Sequence, residues 1–64
     1  MTSSLDALPK VGAPATRALN ASGYTTLRQL AGVARSDLEQ MHGVGPKAVG
    51  ILQVALEEHG LSLV

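Results

Sequence analysis

The stretch Met41-His42-Gly43-Val44-Gly45-Pro46-Lys47-Ala48 holds the residue types best suited to capturing a ligand. Two glycines flanking a valine free the backbone for positive φ angles and strip side chains from its outer surface. Val44 then turns inward as an anchor, while the amides of the turn face solvent. Pro46 suits the first position of a helix, so amides at the helix start and the positive end of its dipole meet an incoming anion. Lys47 adds a mobile positive charge at the same place. The chemistry on offer is capture of phosphate by backbone N–H groups, supported by side-chain charge. A plain helix-to-helix turn with Lys47 merely solvated is the competing reading of the glycine pattern alone.

The same pattern has an echo earlier in the chain. With residue 8 laid over residue 41, Leu8 meets Met41, Val11 meets Val44, Gly12 meets Gly45, Ala15 meets Ala48 and Leu19 meets Leu52. Upstream, Ser3 meets Ser36, Leu5 meets Leu38 and Asp6 meets Glu39. The ordered series marks an internal repeat. Two departures weaken the first copy. Lys10 stands where the second copy has Gly43, and Pro14 stands where it has Lys47, removing a charge and an amide. Lys10 or Arg17 must then supply the positive charge at the first turn.

Other chemistries find little support. The chain has no cysteine, and neither His42 nor His59 is grouped with carboxylates, so no metal site or cofactor is expected. Asp37 and Glu39 read as helix N-terminal residues, not as a catalytic pair, and no nucleophile with a partnering base is in view. His42 reads as a turn residue and His59 as a helix C-terminal one. Tyr24, the only aromatic residue, reads as a packing residue at a helix junction, so a base-stacking surface for single strands is disfavoured. Five basic and five acidic side chains cancel over 64 residues, so a polyanion must be met by local placement of charge. Lys10, Arg17 and Lys47 fall in or just after the two turns, whereas Glu57 and Glu58 lie at the far end of the last helix.

These turns must be held by helices. Apolar residues recur at three- and four-residue spacing between Gly and Pro punctuation, with no alternating pattern, which predicts an all-α chain. Five helices are expected. Ser3 or Ser4 caps a short one through Leu8, and Pro14 opens a second that runs to about Ser22. Thr25 or Thr26 caps a third, with Leu27, Leu30 and Ala31 as its buried stripe. Ser36 and Glu39 form a capping box at a fourth that ends near Met41. Pro46 starts the longest, running to about Glu58 or His59 on a stripe of Ala48, Ile51, Leu52, Ala55 and Leu56, widened by Val49 and Val54. Leu61, Leu63 and Val64 form an apolar tail that folds back at Gly60 or supplies a dimer contact in place of the default monomer.

On these residues the chain resembles the helix-hairpin-helix family, whose hairpin runs hydrophobic, Gly, hydrophobic, Gly, then a small residue or Pro, and often Lys. Met41-His42-Gly43-Val44-Gly45-Pro46-Lys47-Ala48 matches that hairpin closely, and residues 8–15 look like a degenerate copy. Residues 8–30 are also similar to the start of the C-terminal domain of the bacterial RNA polymerase alpha subunit, another relative. The resemblance implies a compact five-helix tandem domain with pseudo-twofold symmetry over residues 1–64. Its first motif spans about 3–23, its connector about 24–35 and its second motif about 36–60.

It further implies non-enzymatic, sequence-independent binding of duplex DNA, with the two hairpins touching phosphates on both strands across the minor groove. Carried over by position, Gly43, Val44, Gly45, Lys47 and Ala48 form one contact. Lys10, Val11, Gly12 and Ala13, with Arg17 in support, form the other. The role implied is auxiliary, in repair, replication or transcription. The alternative is a protein-interaction module of the same fold that does not touch DNA. No secretion signal or membrane span is legible in the sequence, which places the chain in the cytoplasm as an expectation.

Overall fold

A computed structural model describes residues 4–64. Three α-helices form where the sequence demands them most strongly: α1 over Ala13–Ala21, α2 over Arg35–Glu39 and α3 over Pro46–Glu57. A 3-10 turn spans Leu27–Leu30, and the described residues contain no strand. The chain is therefore all-α, but the expected five-helix tandem domain is not what it forms.

A local breaker limits each missing helix, and long-range backbone pairing between the two segments takes its place. Pro9 disfavours helical backbone at Leu8, which leaves too few residues after Ser4 to close a turn of α-helix. Residues 5–7 instead form a turn, with the Asp6 amide donating to Ser4 Oγ at 3.1 Å. The carbonyls of Leu5 and Ala7 accept from the amides of Arg28 and Leu27 at 3.0 and 3.1 Å, so this segment caps the 3-10 turn. The part of that expected helix at Ser3, and the repeat match of Ser3 with Ser36, lie outside the described residues. The expected third helix shrinks to four residues, because Gly32 breaks it at φ 81°. Its buried pair, Leu27 and Leu30, is spaced three apart, the period of a 3-10 helix.

The Gln29 side chain holds the start of that turn. Its Oε1 accepts from the amides of Thr25 at 2.7 Å and Thr26 at 3.1 Å. Gln29→Ala should cost about 1 kcal/mol in urea denaturation, as lost helix caps do. Asp6→Ala removes an exposed ion pair with Arg28 at 3.3 Å and should cost less than about 0.5 kcal/mol.

Helix α3 is the spine of the core. It buries Ala48, Val49, Leu52, Ala55 and Leu56 against Leu19 of α1, Leu27 and Leu30 of the 3-10 turn, and Leu38 of α2. No polar side chain is buried among the described residues. Val54 does not widen the stripe as expected; it stands 59% exposed on the outer face. The tail folds back as expected. Leu63 is buried, Leu63 N–H donates to Gln53 Oε1 at 3.3 Å, and Val64 N–H donates to the Val33 carbonyl at 2.9 Å. The Val64 carbonyl in turn accepts the Arg35 amide at 2.9 Å. That bond lies at the start of α2, which begins at Arg35 with Ala34 as its cap residue. The expected capping box at Ser36 does not form, since Ser36 is already inside the helix.

The internal repeat survives only in part. α1 and α3 begin at matching positions of the alignment, Ala13 and Pro46, but α1 is 9 residues long and α3 is 12. Opposite α2 the first half has a turn. The pseudo-twofold pair of equal units is thus replaced by one long central helix with shorter segments packed around it. No helix among the described residues is long and apolar enough to cross a membrane.

Candidate nucleic-acid interface

The two turns reach their helices by different backbone routes. In the second, Gly43 takes the left-handed conformation at φ 94°, and Gly45 is extended at φ −93°, ψ 177°. In the first, the left-handed residue is Gly12 at φ 95°, the position matching Gly45. Lys10 occupies the place of Gly43, and a lysine there disfavours positive φ. The corner has therefore moved two residues along the chain to the next glycine. The first corner is thus shaped differently from the second, and of the two glycines that permit positive φ in the second turn only Gly43 adopts it.

Despite that difference the turns meet. Gly43 packs against Pro14 so closely that a Cβ there would lie 2.9 Å from the Pro14 carbonyl oxygen. A groove of about 360 Å³ runs between them. Lys10, Val11 and Gly12 line it from the first turn, and Gly43, Gly45, Lys47 and Ala48 from the second. Pro14, Ala15 and Ile51, absent from the sequence expectation, complete the lining. Arg17 lies round the corner in an adjoining groove of about 370 Å³ with Pro14, Ala18, His42 and Gly43. Ala13 is exposed at the start of α1 but lines neither groove.

Val44 is the inward anchor, 5% exposed, and its amide donates to the Met41 carbonyl at 3.1 Å. It has neither a side chain nor an amide to give a ligand. By contrast, Gly12, Ala13, Gly43, Gly45 and Lys47 are exposed, and no acceptor among the described residues takes their amide hydrogens. Unpaired donors of this kind belong to every helix start. Here Gly12, at the start of α1, and Gly45 and Lys47, at the start of α3, line one groove.

Charge sharpens the picture. Of the five basic side chains, Arg28 pairs with Asp6 at 3.3 Å and Arg35 with Glu39 at 3.6 Å. Lys10, Arg17 and Lys47 have no carboxylate partner among the described residues, and all three line the two turn grooves. No acidic side chain lines either groove. A net-neutral chain thus keeps its unneutralised cations at one place. No family model matches the chain, and no curated protein or solved structure matches it. Among the described residues no cluster of three or more His, Asp or Glu side chains is placed to hold a metal ion.

Proposed function

We propose that this chain binds the phosphate backbone of duplex DNA without reading its sequence, through the groove between its two glycine turns. The observation that carries the reading is the coincidence of three unpaired cations, Lys10, Arg17 and Lys47, with exposed, unpaired amides of both turns. The segment joining α2 to α3 is the principal contact and is likened to a helix-hairpin-helix hairpin. The first turn adds Lys10 and the amide of Gly12 from the opposite wall, with the exposed Ala13 amide just beyond it. The groove has no aromatic, Asn or Gln side chain, and its lysines are assigned to phosphates, which carry no sequence information. The role is auxiliary and non-enzymatic, anchoring a partner or a larger assembly to DNA.

Three cations set the scale of the interaction. Each neutralised phosphate contributes about −0.9 to the slope of log affinity against log salt, so a slope of about −3 is expected. Affinity should then fall about 40-fold between 50 and 200 mM salt. Fluorescence anisotropy with two duplexes of unrelated sequence should give equal affinities and that slope. The double variant Lys10→Glu with Lys47→Glu should bind at least tenfold more weakly, with a slope near −1. Absence of binding at 20 mM salt would instead assign the chain to the interaction-module reading.

A further inference from the structure

The outer face of α3 carries a second surface, which shares Lys47 and Ile51 with the groove between the turns. Lys47, Gly50, Ile51, Val54, Ala55 and Glu58 line an open, largely apolar groove of about 470 Å³ along the helix. Their order is self-complementary when the helix is laid antiparallel on a copy of itself. Lys47 then faces Glu58, Gly50 faces Ala55, and Ile51 faces Val54. Opposite charges meet at both ends, branched apolar side chains meet at the centre, and Gly50 leaves room beside Ala55, whose side chain the core already takes up. The two charged residues are separated by about 16 Å along the helix, which an equal helix spans in reverse.

A second observation points the same way. Within its own helix each charge is on the wrong end: a cation in the first turn and an acid beyond the last oppose the macrodipole. α3 has no acidic residue in its first turn and no basic residue in its last. An antiparallel neighbour reverses the sign of that effect, because Lys47 would meet the negative end of the partner helix and Glu58 the positive end. Val54, 59% exposed and the only large apolar side chain exposed in a helix among the described residues, would be covered by the same contact.

We infer that α3 is the interface of a weak twofold homodimer, with Lys47 of each copy against Glu58 of the other and Ile51 and Val54 packed at the axis. An isologous contact requires each residue pair to recur with the roles exchanged, which this face satisfies. Six residues per copy form a small interface, so the dimer is transient, with a dissociation constant on the order of 10⁻⁴ M. This contact takes the place of the alternative of a tail-mediated dimer, since Leu63 is taken up by the core. The inference stands apart from the DNA reading, although Lys47 and Ile51 lie on both surfaces.

Sedimentation equilibrium from 10 µM to 1 mM tests it. The wild-type mass should rise from 6.6 kDa towards twice that value. Val54→Asp, outside the turn grooves, should weaken dimerisation at least tenfold while leaving DNA affinity unchanged within twofold. Lys47→Glu alone and Glu58→Lys alone should each weaken it at least tenfold, and the two together should restore it to within about threefold of wild type. Both substitutions favour the helix dipole, so a loss of dimer cannot be ascribed to loss of the helix, and circular dichroism checks that directly. A monomer at 1 mM, a dimer indifferent to Val54→Asp, or a double reversal that fails to rescue would each overturn the proposal.

Discussion

Leu52→Ala should leave the chain close to unfolded at room temperature. Leu52 is fully buried at the middle of α3, where the 3-10 turn, α1 and α2 all converge on the same core. Truncating a buried leucine removes transfer free energy and leaves a cavity, at a cost of about 2–5 kcal/mol. A domain of this length has a total stability of about 3–10 kcal/mol, with no disulfide or buried polar network to fall back on. Urea denaturation followed by circular dichroism should therefore show a transition shifted to very low denaturant or lost altogether. A melting temperature within 5 °C of wild type would show that α3 is not the spine described here.

Gly43→Ala and Gly45→Ala should behave as opposites, though the glycines are two residues apart in one motif. At Gly43 an alanine must adopt φ 94° and place its Cβ 2.9 Å from the Pro14 carbonyl oxygen, against backbone that cannot swing aside. Strained backbone of that sort costs about 1–3 kcal/mol before any steric displacement is added. A loss of at least 2 kcal/mol is expected, and with it a separation of the two turns that lowers DNA affinity. At Gly45 the backbone is extended and a Cβ would meet nothing within 4 Å. That variant should lose less than about 1 kcal/mol, the ordinary cost of alanine at a helix cap. Equal effects at both positions, measured side by side, would contradict the close approach of the turns.

The pattern of what was legible in the sequence follows from the range of the forces involved. Pro14 and Pro46 marked the starts of α1 and α3 because their backbone preference is local, and the buried stripe of α3 followed from helical spacing except at Ile51, which is only half-buried, and at Val54, which is exposed. The short segments were different. Residues 5–7 and Leu27–Leu30 satisfy each other's backbone groups across a sequence gap of about twenty residues, and no local signal reveals such a pairing. The start of α2 at Arg35 is likewise associated with the Val64 carbonyl arriving from the far end of the chain, which no capping pattern at Ser36 could show.

The candidate site divides along the same line. Lys10, Gly12, Gly43, Gly45 and Lys47 were readable as turn residues, but their assembly into one groove depends on Pro14 meeting Gly43. The neutralisation of Arg28 by Asp6, which helps single out the remaining cations, is again a long-range event. For the α3 surface the signal was present in the sequence. The mirrored order of Lys47, Gly50, Ile51, Val54, Ala55 and Glu58 acquires meaning only once Val54 is seen to face outward.

The most direct test of the phosphate-binding account is an amide-resolved NMR titration with a short duplex DNA at 20 mM salt. Progressive shifts are expected at Gly12, Ala13, Gly43, Gly45 and Lys47, equal for unrelated sequences and reversed by added salt. Shifts confined to Gly50, Val54 and Glu58, or none at a millimolar duplex, would contradict it.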